Sequence, residues 1–167
     1  MEKIKCKDKD SIQLKGSNAL IYGFGYHDIF GDVLKSPHYS EYAKAPVMTL
    51  LGLNIEICLK GIIMITFGTE PWKRDAKKGH SIEYLLDHVP ETIVEYIYEG
   101  LSNNGFPEEN SKEMISKLDK AFVDYRYHYE NVEQEIDSTS EEFLRKLWMI
   151  IYELSLRTQQ EYMDNYV

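Results

Sequence analysis

Hydrophobic and polar residues recur at helical spacing along most of the chain. Residues 47–67, VMTLLGLNIEICLKGIIMITF, are dense enough in apolar side chains to predict a central helix that contacts neighbours on several sides. Residues 80–89, HSIEYLLDHV, carry apolar side chains at positions i, i+3, i+4 and i+7 behind Ser81, which can cap a short helix. No segment alternates convincingly at a period of two, so no strand is predicted. We therefore expect an all-α fold, a four- to five-helix up-down bundle.

Three further helices are predicted from apolar spacing, over residues 91–101, 111–130 and 138–167. Ser111 is the expected cap of the second of these helices. The third opens with S-x-x-E spacing, either Ser138 to Glu141 or Thr139 to Glu142, which is typical of a capping box.

The first 40 residues are the least regular part of the pattern. Residues 1–16 are rich in Lys and Asp, which predicts a loose lead-in. Ser17 and Asn18 can cap a helix over the residues that follow, although three glycines weaken it. With 167 residues, the chain is expected to form a single domain, 1–167, in which residues 1–40 are a partly helical N-terminal extension.

The charge of the chain narrows the classes of function. The formal net charge is −9, whereas proteins that grip a nucleic acid backbone without regard to sequence normally carry a basic face. A local basic pocket stays compatible with this composition. The 13 tyrosines are the most unusual feature, and Tyr suits half-buried surfaces and interfaces because it combines an apolar body with a hydroxyl group.

Cysteine usage and the longest apolar run predict a cytoplasmic protein outside the membrane. Cys6 and Cys58 are not expected to form a disulfide framework, because one lies in a charged N-terminus and the other in an apolar helix, as is typical of a protein in a reduced compartment. No apolar signal-peptide region follows the first charged residues. The apolar run is broken by Asn54, Glu56 and Lys60, so it is interpreted as a core helix and not as a membrane span.

Metal and cofactor motifs are missing from the sequence. The five histidines show no H-x-x-x-H pairing, and there is no C-x-x-C, so no metal site is expected. Gly23 and Gly25 lack the third glycine and the preceding strand of a dinucleotide-binding loop. We therefore expect no cofactor.

Two charged residues stand inside apolar helices and need partners. Glu56 and Arg126 would each cost several kcal/mol if buried alone. One interpretation uses local i, i+4 pairs, Glu56 with Lys60 and Arg126 with Glu130, at solvated helix edges. The other is a structural ion pair between Glu56 and Arg126 that joins two core helices, for which a bidentate Arg–carboxylate contact is well suited.

The segment NIEICLKGII, a loop and then GHSIEYLL resemble the HEPN family of small all-α domains. Members of this family show an E-x-x-L-K-A-like helix followed by G-H-x-[LI]-x-x-L. The first pattern is matched by Glu56, Leu59, Lys60 and Gly61, and the second by Gly79, His80, Ile82 and Leu85. The segment RYHYE, 126–130, is similar to the arginine-aromatic segment that follows in many such proteins, and the resemblance covers roughly residues 45–160.

The resemblance implies a homodimer, and in many members a metal-independent ribonuclease of toxin–antitoxin, phage-defence or CRISPR systems, often with a nucleotidyltransferase as partner. The family motif is Arg, four to six residues, then His, with both subunits contributing to one cleft. Arg126 and His128 are the catalytic candidates that it implies. This chain departs from the motif, because residues 131–133 are Asn, Val and Glu, and His128 lies about 200° around a helix from Arg126.

Further binding candidates follow from residue type. Tyr127 lies off the apolar stripe of its predicted helix and can stack on a base or serve an interface, whereas Tyr125 and Tyr129 lie on the stripe and suit packing. A basic cluster that can meet phosphates, or simply be solvated, precedes the G-H pair: Lys73, Arg74, Lys77 and Lys78. His80 is either a binding residue or a structural cap.

Two hypotheses remain open at this point. In the first, the chain is a HEPN-like dimer that cleaves or binds RNA at a cleft near Arg126 and His128, within a prokaryotic defence or toxin–antitoxin system. In the second, it is a non-catalytic HEPN-like module that binds a partner protein, such as a nucleotidyltransferase or an antitoxin, or a nucleotide.

Overall fold

The computed structural model describes residues 2–35, 43–74, 78–126 and 136–166. Within these ranges the side chains of residues 2–8, 34, 35, 74, 126 and 166 are not described. The described residues form seven α-helices and two 3-10 turns, with no strand among them. The helices are α1 Glu2–Lys35, α2 Lys44–Phe67, α3 Ile82–Leu86, α4 Glu91–Asn103, α5 Glu108–Lys117, α6 Ala121–Arg126 and α7 Ser138–Tyr166, and the 3-10 turns are Pro71–Arg74 and Lys78–His80. The predicted all-α bundle is confirmed.

Helix α2 is the centre of the bundle, as its apolar density predicts. It packs against α1, α3, α6 and α7, and its buried residues include Leu51, Ile55 and Ile62, all fully shielded from solvent. It is also the one helix of the described chain that is long and apolar enough to cross a membrane, but 67% of its most apolar window is buried inside the bundle. Such burial fits the core helix of a soluble protein.

Helix α1 runs unbroken for 34 residues, so the expected loose lead-in over residues 1–16 is wrong. Gly16 of α1 and Gly61 of α2 allow the two backbones to approach closely. A Cβ on Gly16 would lie 2.8 Å from the carbonyl oxygen of Gly61. The expected cap Ser17 is instead buried in mid-helix and accepts a hydrogen bond from Gln159 Nε2 of α7 at 2.8 Å. Contacts with two neighbouring helices therefore outweigh the low helix propensity of glycine.

A buried polar group joins the three longest helices. Asn54 of α2 is fully shielded from solvent, and its Nδ2 donates to the carbonyl oxygen of Gly23 in α1 at 2.9 Å. Its Oδ1 accepts from Trp148 Nε1 of α7 at 3.2 Å and from the Cys58 thiol at 3.4 Å. Because these partners have fixed positions, the network stabilises one arrangement of α1, α2 and α7 over others.

The short helices agree only in part with those predicted from the sequence. The prediction for residues 80–89 is confirmed, since Ser81 Oγ accepts from the Tyr84 backbone N–H at 2.9 Å. The helix after Pro90 is confirmed as well. The predicted helix over 111–130 is wrong, because the described part divides into α5 and α6 at a turn that includes Asp119. Ser111 lies inside α5 and does not cap it; its hydroxyl donates to the Phe106 carbonyl oxygen at 2.8 Å.

The turn between α5 and α6 exists because Asp119 bonds to the start of α3. Its carboxylate accepts from Ser81 Oγ at 2.7 Å and from the Glu83 backbone N–H at 2.8 Å. Its carbonyl oxygen accepts from the Ile82 N–H at 2.9 Å. These bonds fix the first turn of α3 against the bundle, and with it the residues that precede α3.

The start of α7 is capped by a residue that the sequence pattern did not single out. Asp137 accepts from the Ser140 N–H at 2.7 Å and from the Ser140 hydroxyl at 2.8 Å, in place of the predicted box from Ser138 or Thr139. Lys117 Nζ donates to the same carboxylate at 2.9 Å. The hydrogen bond from Lys117, with those from Ser140, lowers the pKa of Asp137 to about 2.

Candidate functional site: a buried glutamate between a lysine and a histidine

The candidate site is built around Glu56, in the middle of α2. The residue is buried, and its two carboxylate oxygens have different partners. Oε1 accepts from Lys60 Nζ at 2.6 Å, and Oε2 lies 3.1 Å from His80 Nδ1. Lys60 is largely buried, whereas 44% of the His80 side chain is exposed. The cluster therefore reaches from the core of the bundle to its surface.

His80 is positioned by the loop that contains the G-H pair. It ends the 3-10 turn Lys78–His80, directly before the capped start of α3 that Asp119 holds in place. Gly79 is buried, and a Cβ there would lie 3.1 Å from Trp72 Cβ. The glycine therefore lets the turn lie close to Trp72, which leaves His80 beside Glu56.

Aromatic rings surround the charged group. Lys60 Nζ lies 5.3 Å from the centroid of the Trp72 ring, a cation–π distance. On the other side, the His80 and Phe122 rings are 6.0 Å apart between centroids. Phe122 belongs to α6, whose backbone passes so close to α2 that a Cβ on Gly52 would lie 2.6 Å from the Phe122 nitrogen. Helices α2 and α6 and the G-H turn thus meet at one place.

The arrangement determines how the His80 ring can act. A carboxylate only accepts hydrogen bonds, so Nδ1 carries the proton and donates to Glu56. Nε2, on the opposite side of the ring, is then the nitrogen that can take or release a proton. An exposed imidazole oriented by a buried carboxylate has the geometry required of a general acid or base. Lys60, the third member, keeps the carboxylate paired with a positive charge.

The structure distinguishes in part between the alternatives for Glu56. The local pair with Lys60 is present, but it is buried and does not lie at a solvated helix edge. The predicted Glu56–Arg126 ion pair is not tested, because the Arg126 side chain lies outside the described residues. Arg126 is the last residue of α6, one turn after Phe122. His128 and Tyr127, predicted as catalytic and binding residues, also lie outside the described residues.

The predicted basic cluster is only partly described. Lys73 pairs with Glu70 at 2.6 Å, and this hydrogen bond raises the pKa of Lys73. Lys78 is exposed, with its Nζ 5.7 Å from the centroid of the Tyr84 ring. Lys77 and the Arg74 side chain lie outside the described residues. Of the described pair, Lys78 is therefore the better placed to meet an anion beside His80.

Sequence reasoning missed three features of this site. It left His80 between a cap and a binding role, whereas the cap is Ser81 and the His80 ring contacts Glu56. It assigned nothing to Trp72 or Asp119. The available signal was the G-H pair itself, since a glycine directly before a histidine marks a close backbone approach.

The bundle also has a groove that is not lined by Glu56, Lys60 or His80. This groove of about 520 Å³ is lined by residues of α1, α2, α4 and α7, among them Tyr96 and Arg157. Arg157 donates to the Tyr96 hydroxyl at 3.0 Å and stacks over its ring. Among the described residues, no group of three or more His, Cys, Asp or Glu side chains is placed to hold a metal ion.

Comparisons with protein-family models, with curated proteins and with solved structures found no match to this chain. The fold and the site define an all-α bundle with a Glu–Lys–His cluster at the edge of its core.

Proposed function

We propose that this protein is a HEPN-like domain that binds RNA on the surface around His80 and cleaves it without a metal ion. The observation that carries the proposal is the contact between Glu56 and His80 at 3.1 Å. These residues belong to the two separate motifs on which the resemblance rests, and the fold brings them together. Contact between them supplies a physical reason for both motifs to occur in one chain.

The proposed reaction uses proton transfer at one ring nitrogen. His80 Nε2 accepts the proton of a ribose 2′-hydroxyl, and the 2′-oxygen attacks the adjacent phosphorus to form a 2′,3′-cyclic phosphate. The bond from phosphorus to the 5′-oxygen breaks, and the 5′-oxygen takes a proton from His128. The carboxylate of Glu56 stabilises the imidazolium that forms. Lys78 and Arg74 supply positive charge for the scissile phosphate, which gains negative charge during attack.

Arg126 and His128 keep their predicted catalytic roles within this proposal. Helix α6 ends at Arg126, one turn beyond the ring that lies beside His80, so the end of α6 and the G-H turn belong to the same side of the bundle. We infer that Arg126 binds phosphate there, that His128 assists proton transfer, and that Tyr127 stacks on a base. A homodimer would bring two such sets of residues to one cleft.

The proposed setting is a cytoplasmic toxin–antitoxin or phage-defence system of a prokaryote, with an antitoxin or nucleotidyltransferase as partner. Support comes from the resemblance of the two motifs and from the burial of α2 inside the bundle.

The test is incubation of the purified chain with total RNA in the presence of a metal chelator. His80→Gln and Glu56→Gln are expected to lower the cleavage rate by about 100-fold, the size of a general acid–base contribution. His88→Gln is the matched control, since the His88 Nδ1 is held by the Tyr84 carbonyl oxygen at 2.8 Å, away from Glu56. Cleavage at the wild-type rate in His80→Gln would remove His80 from the reaction, and parallel Arg126→Ala and His128→Ala variants would then decide whether the other pair acts alone.

A second candidate function is supported by a different observation. Helices α1 and α7 expose large apolar side chains, among them Ile21, Ile29, Met149 and Leu156, on a chain with a net charge of −9. Such a surface is typical of a protein–protein interaction site. In this alternative the chain is a non-catalytic HEPN-like module that binds a partner protein or a nucleotide. Lack of RNA cleavage by the wild type, together with binding to the product of a neighbouring gene, would favour it.

A further inference from the structure

A long groove with an apolar floor runs beside α4, and we call it the α4 groove. It has two parts, with volumes of about 470 and 720 Å³. The two parts form one continuous channel because they share four lining residues, Glu91, Val94, Tyr98 and Lys112. None of the lining residues belongs to the Glu56 cluster or to the groove of about 520 Å³.

The floor of the α4 groove is continuous with the core of the bundle. Leu86, Val89 and Ile115 are buried members of the core, and Val94 and Tyr98 are half-buried and pack against it. These residues come from α3, the turn that follows it, α4 and α5. A concave apolar surface of this kind gives the apolar side chains of another molecule a place to be buried.

The rim of the α4 groove is strongly acidic. Six carboxylates line it, against a single lysine, Lys112. The lysine is already engaged, because its Nζ lies 2.6 Å from a Glu108 carboxylate oxygen and 5.6 Å from the centroid of the Tyr98 ring. The six carboxylates are those of Glu83, Asp87, Glu91, Glu95, Glu99 and Glu108.

Three of these carboxylates lie on one face of α4, at intervals of four residues: Glu91, Glu95 and Glu99. Like charges at this spacing repel each other and weaken a helix, and α4 contains no Lys, Arg or His to offset them. In the part of the chain that the structure describes, none of the three forms an ion pair. The packing of this chain therefore gives no reason for the repeat, whereas a cationic partner does.

The phenol of Tyr98 reports the negative charge of the groove. Burial raises the pKa of Tyr98, and the charges of Glu108, Glu83 and Asp87 raise it further, against the opposing effect of Lys112. These carboxylates belong to α5, to α3 and to the residue that ends α3. A cation that enters the groove is therefore attracted by several elements of the bundle at once.

We propose that the α4 groove binds a basic amphipathic helix of a partner protein, with apolar side chains on the floor and Lys or Arg side chains along the rim. The 13 residues of α4 span about 20 Å, which is the length of a partner helix of the same size. Basic residues at intervals of four on that helix match the glutamates of α4. RNA is repelled by this rim, and so is a second copy of a chain with a net charge of −9. The inference rests on α3, α4 and α5 and does not depend on the proposed reaction with RNA.

The first experiment measures binding by fluorescence anisotropy. The probe is a labelled peptide of about 14 residues, made of Leu, Lys and Ala, with Leu at positions i, i+3, i+4 and i+7 and Lys at intervals of four beside them. The wild type is expected to bind it with a Kd on the order of micromolar. A triple variant, Glu91→Gln, Glu95→Gln and Glu99→Gln, is expected to bind about tenfold more weakly because three ion pairs are lost. The three side chains are exposed, so the far-UV circular dichroism should not change.

Two controls separate the groove from general attraction between opposite charges. The variant Asp32→Asn, Glu142→Gln and Glu161→Gln removes the same charge from exposed positions on α1 and α7, and should bind the peptide as the wild type does. A second peptide with Gln in place of every Leu keeps all the lysines. It should bind the wild type at least about tenfold more weakly, because it places no apolar side chain on the floor.

The second experiment locates the peptide by amide hydrogen exchange. Exchange in α4 should slow when the Leu–Lys peptide is bound, whereas exchange in α7 should not change. A wild type that does not bind the peptide would overturn the proposal. So would equal loss of affinity in the two triple variants, equal binding of the peptide without Leu, or protection of α7 in place of α4.

Discussion

Asn54 and Glu56 lie two residues apart on the same helix, and their surroundings differ. Asn54 is neutral, has no exposed surface and bonds to groups in α1, α2 and α7. Glu56 is charged, and one of its two partners, His80, is half-exposed. The first residue therefore serves to select one packing of three helices, whereas the second orients a group that solvent or a ligand can reach. Buried polarity in this bundle has two separate uses.

The largest effect is expected at Asn54. Asn54→Ala leaves the Trp148 N–H and the Gly23 carbonyl oxygen buried without their partner and opens a small cavity. We expect the free energy of unfolding to fall by about 4 kcal/mol. Urea denaturation, followed by circular dichroism, measures it. If the free energy of unfolding falls no more than it does for an ordinary surface substitution, the Asn54 network does not hold the three helices in place.

A smaller effect on stability is expected at Glu56. Glu56→Gln keeps the size of the side chain but removes the charge that pairs with Lys60, and we expect a loss of about 1.5 kcal/mol. The same variant should lose most of its RNA cleavage. Asn54→Ala, at a temperature where it is still folded, should keep the cleavage rate. If both variants lose stability and activity in the same proportion, the division between the two residues is wrong.

The smallest effect is expected at Asp137, a half-exposed carboxylate that caps α7. Asp137→Ala should cost about 1 kcal/mol near neutral pH, the usual value of a helix cap. The folded pKa of Asp137 is about 2, below its ordinary value of 3.8, so this stabilisation is fully present above pH 3.8 and is lost as the pH falls through about 2.

The measurement for Asp137 is the difference in unfolding free energy between wild type and Asp137→Ala from neutral to acidic pH. The difference should shrink as the pH approaches 2. A difference that stays constant over that range would show that the cap does not depend on the charge of Asp137, and Asp137→Asn would then be expected to match the wild type.

Sequence reasoning succeeded where apolar spacing and local signals agree. Helix α2 is dense in apolar residues, and α3 follows a capping serine with apolar residues at helical spacing. Both helices were therefore predicted. It failed where a contact between residues far apart in the sequence determines the local structure. The turn at Asp119 depends on bonds to Ser81 and Glu83, 36 to 38 residues away, and a periodic pattern carries no record of them.

The candidate site shows the same limit. The motifs containing Glu56 and His80 were recognised separately, but their contact spans 24 residues and a loop, which spacing alone does not specify. Helix α1 was underestimated for a related reason. Its glycines Gly23, Gly25 and Gly31 were interpreted as helix-weakening residues, whereas Gly23 lies against α2, where a side chain would collide with Cys58.

The close fit between Gly16 and Gly61 has a practical consequence for anyone who wishes to shorten this protein. Because α1 lies directly on the backbone of α2, removing the first 40 residues would uncover a strip of the central helix that includes Cys58 and Ile65, both buried in the intact chain. A fragment that begins at α2 should therefore precipitate on expression, and a soluble minimal domain has to retain α1.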